Sequence, residues 1–286
     1  MPFTTIYGDG NGTRVIGDGT SIEQALHPTV MNYIAEMRSP TGGNYAMSVN
    51  EIDAVNNMVQ AMVANGIWSK MKAVYPVIGG TAAAHKYNLV DPRDNNAAYR
   101  LVFSGGWTHS STGMLPNGTN GYADTFLAGN VLSRNSTHLS YYSRSNTAGG
   151  TGITKVEMGY AALGVVSCNL IIKRLNVTFA GAINTLTFNG QTTSLTDTRG
   201  FFIGNRNSAT VHSLYRNGEL FISGNDNSVN PTSALTIWIG ARNQGPTNYT
   251  DRQCAFASIG DGLTEEEARA FSAIVQAYQQ KLGRAV

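Results

Sequence analysis

Between Thr198 and Gly262 the chain alternates short apolar runs with turn residues. The runs lie at 200–208, 210–223, 235–243 and 254–262, and each is rich in β-branched and aromatic residues. Runs of this kind, bounded by Gly, Asn or Ser, indicate β-strands. In the second run Asn217-Gly218 separates two strand-like segments, and this dipeptide favours the type I′ turn of a two-residue β-hairpin. We therefore predict a hairpin here, within a larger β domain.

The same short-period pattern begins at Val77 and continues through the middle of the chain. Further strand candidates lie at 98–110, 137–145, 166–180 and 184–195, and the last of them contains a second Asn-Gly turn at Asn189-Gly190. Turn residues recur about every ten residues, which is the spacing of a β-sandwich or jelly roll. The polar stretch 115–125 is predicted to be a long loop at one end of the sandwich.

Helical periodicity is confined to the two ends of the chain. The first candidate, 21–38, has Pro28 at a position suited to a first helical turn. The second follows a capping box formed by Ser48 and Glu51 and ends at Asn65-Gly66, with 67–76 read as one further turn. The apolar stripes of these helices fit either an intramolecular core or a partner-binding face.

The third helix is predicted over 264–282 and closes the chain. Thr264 and Glu267 form a capping box, and three consecutive glutamates lie against the positive end of the helix dipole. Lys281 and Arg284 suit its last turn, beside Gly283. We expect the apolar face of this helix to pack on the sandwich.

Composition narrows the function classes. Charged residues make up 13% of the chain, there are 32 glycines, and the formal net charge is +2. This favours a turn-rich β protein without a basic stripe, so we expect no nucleic-acid partner. No apolar run is long enough to span a bilayer and no secretion signal is evident, so we expect no membrane association. The two cysteines, Cys168 and Cys254, lie in apolar runs and are predicted to be buried free thiols, with a disulfide as the alternative.

Metal and cofactor sites have little support in the sequence. GDGNGT at 8–13 and GDGT at 17–20 offer Asp9, Asn11 and Asp18 as oxygen ligands, but the bidentate glutamate that closes an EF-hand loop is missing. Turn chemistry explains these residues better. The five histidines show no zinc-ligand spacing. We predict no metal and no cofactor.

Catalytic patterns are also weak. Glu157 stands alone, Glu219 follows a turn, and a pair assembled from Asp124 and Asp251 is the remaining route to glycoside hydrolysis. His109 and Ser110 are adjacent on a strand and therefore point to opposite faces. We predict no catalytic residues and a protein that is not an enzyme.

Three segments near the C-terminus carry a resemblance to a known family. They are Tyr215-Arg216-Asn217-Gly218-Glu219, IWIGARN (237–243) and CAFASIGDGLTEEEA (254–268), followed by the last helix. Together they resemble concanavalin A-like lectin/glucanase domains of the LamG type. The block 68–125, with its WSKMKAVYP and NLVDPRD wording, resembles a segment found upstream of such domains in virion proteins of tailed bacteriophages.

The resemblance implies a mainly β fold, a concanavalin A-like jelly-roll β-sandwich at 76–286 preceded by an extended and helical attachment region at 1–75. It also implies that the Tyr-x-Asn-Gly hairpin and the Gly-Ala-Arg-Asn strand are adjacent core strands of the jelly roll. The E-x-D-x-E strand of the glucanases in this superfold has no counterpart here. We therefore expect a non-enzymatic virion protein, with a glycan-cleaving depolymerase of the same superfold as the alternative.

The expected partners follow from this reading. The N-terminal region would bind other virion proteins, the protein would form a homo-oligomer, a trimer by resemblance, and its location would be the virion. The sandwich would bind host-surface glycan or pack against other virion proteins.

A glycan surface needs aromatic rings and hydrogen-bonding side chains at the sandwich ends or on a sheet face. The candidates near the long loop are Trp107, His109 and Tyr122, and those in the later loop are Arg242, Asn243 and Tyr249. Core packing is the competing interpretation for Trp107 and Tyr122, and anchoring of a turn is the competing interpretation for Arg242.

Overall fold

The computed structural model describes residues 14–15, 21–22, 25–147, 154–174, 178–186, 195–244 and 248–286. The two Gly-Asp-Gly segments at 8–13 and 17–20 and the second Asn-Gly turn at Asn189-Gly190 lie outside the described residues.

Four α-helices are present in the described part: α1 (Pro28–Arg38), α2 (Val49–Ala64), α3 (Ala82–His85) and α4 (Glu265–Lys281). Both predicted capping boxes are confirmed, with Ser48 and Glu51 opening α2 and Thr264 and Glu267 opening α4. The predicted first helix begins at Pro28 and not at residue 21, because Ser21–Ile22 is extended. None of the described helices is both long and apolar enough to cross a bilayer.

Seventeen strands are described, and most contain four to nine residues. In chain order they are β1 (Arg14–Val15), β2 (Ser21–Ile22), β3 (Met71–Tyr75), β4 (Val102–Ser104), β5 (Trp107–Ser110), β6 (Gly113–Pro116), β7 (Tyr122–Ala128), β8 (Thr137–Ser143), β9 (Met158–Ala162), β10 (Val166–Arg174), β11 (Thr178–Thr185), β12 (Gly200–Arg206), β13 (Val211–Arg216), β14 (Glu219–Asn225), β15 (Thr236–Ile239), β16 (Arg242–Asn243) and β17 (Cys254–Gly260).

The strands form two large sheets and one small ribbon. The eight-stranded sheet has the order β14-β13-β12-β8-β17-β6-β5, with β3 also paired to β17. The seven-stranded sheet has the order β11-β10-β9-β15-β7-β4, with β16 paired to β9, while β1 and β2 pair only with each other. Almost all pairs are antiparallel, and β16 with β9 is the parallel exception among them. The mainly β, jelly-roll sandwich with a closing helix is confirmed.

Two apolar cores divide the molecule into three layers. One core lies between the two sheets and includes Leu139, Phe202 and Ile237, one from each of three strands. The other lies on the far side of the eight-stranded sheet, where Phe201 and Phe256 meet Phe271 of α4. No residue of α1 to α4 belongs to the inter-sheet core. The helices therefore cover one face of the sandwich only.

The predicted hairpin is confirmed in detail. Asn217 and Gly218 both have positive φ, 51° and 87°, as a type I′ turn requires. The Asn217 side chain also accepts a hydrogen bond from the Phe201 amide at 2.8 Å, which ties the turn to the neighbouring strand.

Several predicted elements need correction. The segment 67–76 contains a short 3₁₀ turn and then β3, which joins the eight-stranded sheet through β17. The candidate at 166–180 is two strands, β10 and β11, paired with each other. The predicted loop 115–125 is shorter, since Pro116 ends β6 and Tyr122 begins β7. In each case the observed structure depends on pairing with distant strands, which the local sequence pattern does not indicate.

The expected adjacency of the hairpin and the Gly-Ala-Arg-Asn strand is wrong. The hairpin strands β13 and β14 belong to the eight-stranded sheet, whereas β15 and β16 belong to the other one. Gly240, with φ of 92°, breaks the run between β15 and β16. The two segments therefore contribute to the inter-sheet core from different sheets, through Leu214 on one side and Ile237 and Ile239 on the other.

The predicted boundary between residues 75 and 76 falls at the end of β3. Helix α2 packs against α4, and apolar residues of both helices share one core with the eight-stranded sheet. Residues 28–75 are thus packed into the same body as the sandwich, while the attachment role assigned to 1–75 stays a prediction.

Cys168 and Cys254 are free and fully buried, as predicted. Burial raises the pKa of each thiol to about 12. Both therefore remain protonated and act as small apolar side chains.

Arg284 anchors the C-terminal segment through buried hydrogen bonds, a role that the sequence did not indicate. The helix ends at Lys281, and the Arg284 side chain turns inward, where 2% of it is exposed. Its guanidinium donates to the carbonyls of Pro76, Val77 and Ala255 at 2.7–2.8 Å. The chain end is thereby tied to β17 and to the segment that follows β3.

We predict that Arg284→Ala lowers the free energy of unfolding by about 3 kcal/mol or more, because buried carbonyls lose charged donors. Urea denaturation of the purified protein measures this. Lys281→Ala, an exposed residue in the same chain segment, is the matched control and should change stability by less than about 0.5 kcal/mol. Equal stability of the two variants would contradict this role for Arg284.

Candidate functional site

The outer face of the seven-stranded sheet carries an unusual set of side chains. In β7, Ala123 and Leu127 are fully buried and face the inter-sheet core, so Tyr122 and Asp124 point the other way. In β15, Ile237 and Ile239 face the core in the same manner, which turns Trp238 outward. We call the surface formed by Tyr122, Asp124, Trp238 and Arg242 the open face. It lies on the side of the sandwich opposite the helices.

Tyr122 and Trp238 form a stacked pair on the open face. Their ring centroids are 3.8 Å apart and the rings are inclined by 15°. The strand register pairs Trp238 with Asp124, so Tyr122 is its diagonal neighbour on the same face. Both rings are partly exposed. Stacked rings with polar neighbours can contact the apolar surface of a ligand while nearby groups bind its hydroxyls.

Arg242 lies beside this pair. Trp238 and Arg242 are both register partners of Gly159 in β9. The Arg242 guanidinium donates to the Asn248 side-chain oxygen at 2.7 Å, and the Asn248 amide donates to the Thr154 carbonyl at 2.8 Å. Burial lowers the pKa of Arg242. Asn248 therefore holds the Arg242 side chain in place. Because Asn248 is neutral, this contact does not compensate the positive charge of Arg242.

Asn243 and Tyr249 support the same region from the later loop. The Asn243 amide donates to the Thr236 carbonyl at 2.9 Å, which holds β16 against the start of β15. Tyr249 is half-buried between two anchored residues: the Thr250 amide donates to Gly240, and the Asn248 carbonyl accepts from Val156. Anchoring of the turn was the competing interpretation for Arg242. The hydrogen bond from Asn243 to Thr236 shows that this description applies to Asn243.

Trp107 and His109 lie together in a separate aromatic corner with Phe103. The Trp107 indole N–H donates to the carbonyls of Ser104 and Tyr122, at 3.1 and 3.2 Å. A Cβ added at Gly240 would come within 3.0 Å of the Trp107 ring, so the indole packs closely over that glycine. Trp107 thereby joins the edges of the two sheets, in agreement with the packing interpretation.

His109 contacts a second histidine, His85 of α3. Their Nδ1 atoms are 2.9 Å apart, and the Gly80 amide donates to His85 Nε2 at 3.1 Å. Since His85 Nε2 accepts, its Nδ1 carries the proton and donates to His109. Burial, followed by the neighbouring His109, lowers the pKa of His85 to about 3, and burial also lowers the pKa of His109. The pair is neutral at physiological pH.

Three of the acids considered for hydrolysis, Glu157, Asp251 and Asp124, have structural partners, and Glu219 is exposed at the start of β14. Glu157 and Arg252 form a fully buried ion pair at 2.7 Å. Asp251 is paired with Lys155 at 2.6 Å, and although burial raises its pKa, the Lys155 contact lowers it below the usual range. Asp124 accepts a hydrogen bond from the Phe126 amide at 2.8 Å. Within the described residues, no three His, Cys, Asp or Glu side chains could together hold a metal ion.

The six predicted site residues therefore fall into two groups. Tyr122, Arg242, Asn243 and Tyr249 lie on or beside the open face, and Trp107 and His109 form the aromatic corner. The two groups are linked through the Tyr122 backbone, which accepts from Trp107. Sequence reasoning missed Trp238, although the Ile-Trp-Ile alternation of β15 places that ring opposite the core.

No protein-family model and no curated protein sequence matches the chain. Solved structures are similar at the level of the β-sandwich. Domain 4 of AbnA, a GH43 extracellular arabinanase from Geobacillus stearothermophilus, solved with arabinotriose, has a TM-score of 0.49 and 13% identity, covering 71% of this chain and 98% of that domain. Trypanosoma rangeli sialidase in complex with sialic acid has a TM-score of 0.48 and 11% identity, over 70% of this chain and 32% of the sialidase.

The receptor-binding domain of botulinum neurotoxin mosaic serotype C/D is also similar, with a TM-score of 0.46 and 12% identity over 71% of this chain and 50% of that domain. The chain thus matches about a third of the sialidase and half of the neurotoxin domain. Similarities of this size concern the β-sandwich alone and assign no ligand to this chain.

We predict that the free energy of unfolding falls as the pH is lowered from 7 to 5. Unfolded histidine titrates near pH 6.5, so below that pH the unfolded chain binds a proton that folded His85 does not. The expected loss from His85 is about 2 kcal/mol. Carboxylates with lowered pKa remain ionised throughout this window.

Urea denaturation at the two pH values measures the effect, and His85→Gln isolates it. The variant should lose less stability between pH 7 and 5 than the parent, by about the same 2 kcal/mol. An equal loss in both proteins would show that His85 does not titrate as its burial implies.

Proposed function

We propose that this protein is a non-catalytic glycan-binding protein and that the open face is its binding surface. The observation that carries the proposal is the partly exposed Tyr122–Trp238 stack on a sheet face opposite the helical layer. Large aromatic rings usually fill cores, where burial is favourable. Two of them stacked together outside the core provide an apolar platform, and their polar ends suit a hydrated ligand.

The polar groups around the platform support a sugar as the ligand class. Asp124 lies on the strand beside Trp238, and Arg242 lies on its other side with Asn248. Ligand sites commonly combine an aromatic surface with a few fixed polar groups that set orientation. Carboxylate, guanidinium and amide groups together offer both donors and acceptors for hydroxyls.

Binding without cleavage is favoured by the state of the acids. Glycoside hydrolysis uses two carboxyl groups flanking the scissile bond, about 5 Å apart or somewhat wider. Glu157 and Asp251 are each neutralised by a basic residue, and Asp124 caps a backbone amide. The alternative, a depolymerase, would release reducing sugar from the bound polysaccharide and lose that activity in Asp124→Asn. We expect no release.

We further propose that the protein is a component of a tailed-bacteriophage virion that binds host-surface glycan. This finer assignment is supported by the resemblance of 68–125 and of the C-terminal segments to virion proteins with LamG-type domains. In this proposal residues 1–75 attach the protein to other virion proteins, and the assembled form is a homo-oligomer. Cryo-electron microscopy of the intact particle tests the location directly, and absence of the protein from purified particles would contradict it.

We predict that Trp238→Ala and Tyr122→Ala each weaken binding to a bacterial surface polysaccharide by at least tenfold, which corresponds to about 1.4 kcal/mol. The ligand is first selected on an array of bacterial glycans, and the affinity is then measured by biolayer interferometry. We expect this loss of affinity because removal of either ring destroys the stacked platform.

Trp68→Ala is the matched control, because Trp68 is a partly exposed tryptophan that packs with the helical core. It should bind like the parent, and thermal denaturation should show that all three variants are folded. Undiminished binding by the Trp238 and Tyr122 variants, or a glycan array without any hit, would contradict the proposal.

A further inference from the structure

Gly159 of β9 is the meeting point of three side chains on the open face. Its register partners are Asn169 of β10, Trp238 of β15 and Arg242 of β16. Residues opposite each other in neighbouring strands project to the same side of a sheet. We call this set, Gly159 with Asn169, Trp238 and Arg242, the Gly159 niche.

Only glycine fits at position 159. Its φ is 142°, and an added Cβ would come within 2.2 Å of the Cys168 carbonyl and 2.6 Å of the Asn169 side-chain oxygen. The Asn169 amide therefore lies directly over the glycine backbone. The missing side chain leaves the space that the Asn169 side chain occupies, and Asn169 is fully buried there.

Four polar side-chain atoms of the niche lack hydrogen-bond partners among the described residues. They are both side-chain atoms of Asn169, the indole nitrogen of Trp238 and Nε of Arg242, all buried. Native proteins pair nearly all such groups, because each unpaired one costs about 1–3 kcal/mol. Concentration of four of them around one glycine therefore points to a ligand that supplies the missing hydrogen bonds.

The charge of the niche selects the ligand further. Within the described part of the chain, no carboxylate forms an ion pair with Arg242, whose guanidinium binds the neutral Asn248 amide instead. Glu157 and Asp251 form ion pairs with Arg252 and Lys155. Asp124, on the other side of Trp238, accepts a hydrogen bond from the Phe126 amide. Three of the four unpaired polar atoms belong to N–H donors. A donor-rich site with one uncompensated cation complements an anion with several acceptor atoms.

We infer that the Gly159 niche binds the carboxylate of an acidic sugar, while the ring of that sugar lies against the Tyr122–Trp238 stack. Trp238 belongs to both parts, because its ring is half of the stack and its buried indole N–H has no hydrogen-bond partner among the described residues. Arg242 and Trp238 are partly exposed and Asn169 is buried, so the niche extends from the surface into the sheet. This inference rests on the proposed function and specifies its ligand as a uronic or similar carboxylated glycan.

The test compares two probes that differ only at one group, methyl glucuronide, with a carboxylate, and methyl glucoside, with a hydroxymethyl. ¹H–¹⁵N NMR of the full chain follows the three indole N–H signals, at probe concentrations up to about 20 mM, which covers millimolar dissociation constants. The glucuronide should shift the Trp238 signal and bind at least tenfold more tightly than the glucoside. The Trp68 indole, which packs with the helical core, is the internal reference that should not move.

Arg242→Gln should remove the preference for the glucuronide, and Arg38→Gln, which deletes an exposed charge at the end of α1, should preserve it. Equal binding of both probes at Trp238 would overturn the acidic-sugar inference and leave the proposed glycan surface intact. A preference that survives in Arg242→Gln would overturn it as well. Failure of both probes, together with an array without hits, would overturn the inference and the proposed function together.

Discussion

The three central strands of the eight-stranded sheet have no solvent-exposed face, and this constraint shapes the whole molecule. Every residue of β8, β12 and β17 is buried. A sheet whose strands are buried on both sides must be covered twice, and the chain supplies the second sheet on one side and the helices on the other. Phe202 packs inward between the sheets, and Phe201 packs outward against Phe271. The four described helices lie on that side and leave the outer face of the seven-stranded sheet uncovered by helices.

Local signals in the sequence predicted the elements that are stabilised locally. The capping boxes at Ser48 and Thr264 and the Asn217-Gly218 turn involve residues a few positions apart, and all three are observed. Strand partnership depends on distant residues, so the sequence did not indicate that β3 joins β17 or that β15 and the hairpin lie in different sheets. Arg284 was misread for the same reason, since its carbonyl partners come from Pro76 to Ala255.

The same holds for the candidate site: features that depend on local sequence were predicted, and features that depend on distant strands were not. Aromatic and polar residues near predicted turns led to Tyr122 and Arg242, both of which lie on the open face. Trp107 lies apart from the open face, and its indole N–H donates to carbonyls of β4 and β7. Trp238 was visible in the alternation of β15 but could not be linked to Tyr122 without the register. The Gly159 niche had no sequence signal at all, since it depends on three strands meeting at one glycine.

The central claim is that a ligand binds to the sheet face opposite the helices, and hydrogen–deuterium exchange tests it most directly. The amide exchange of the protein is compared with and without the polysaccharide that it binds best. The account predicts slower exchange concentrated in Tyr122–Ala128 and Thr236–Ile239, the two strands that carry the stacked rings. Protection confined to the helical layer, in Val49–Ala64 and Glu265–Lys281, would contradict it.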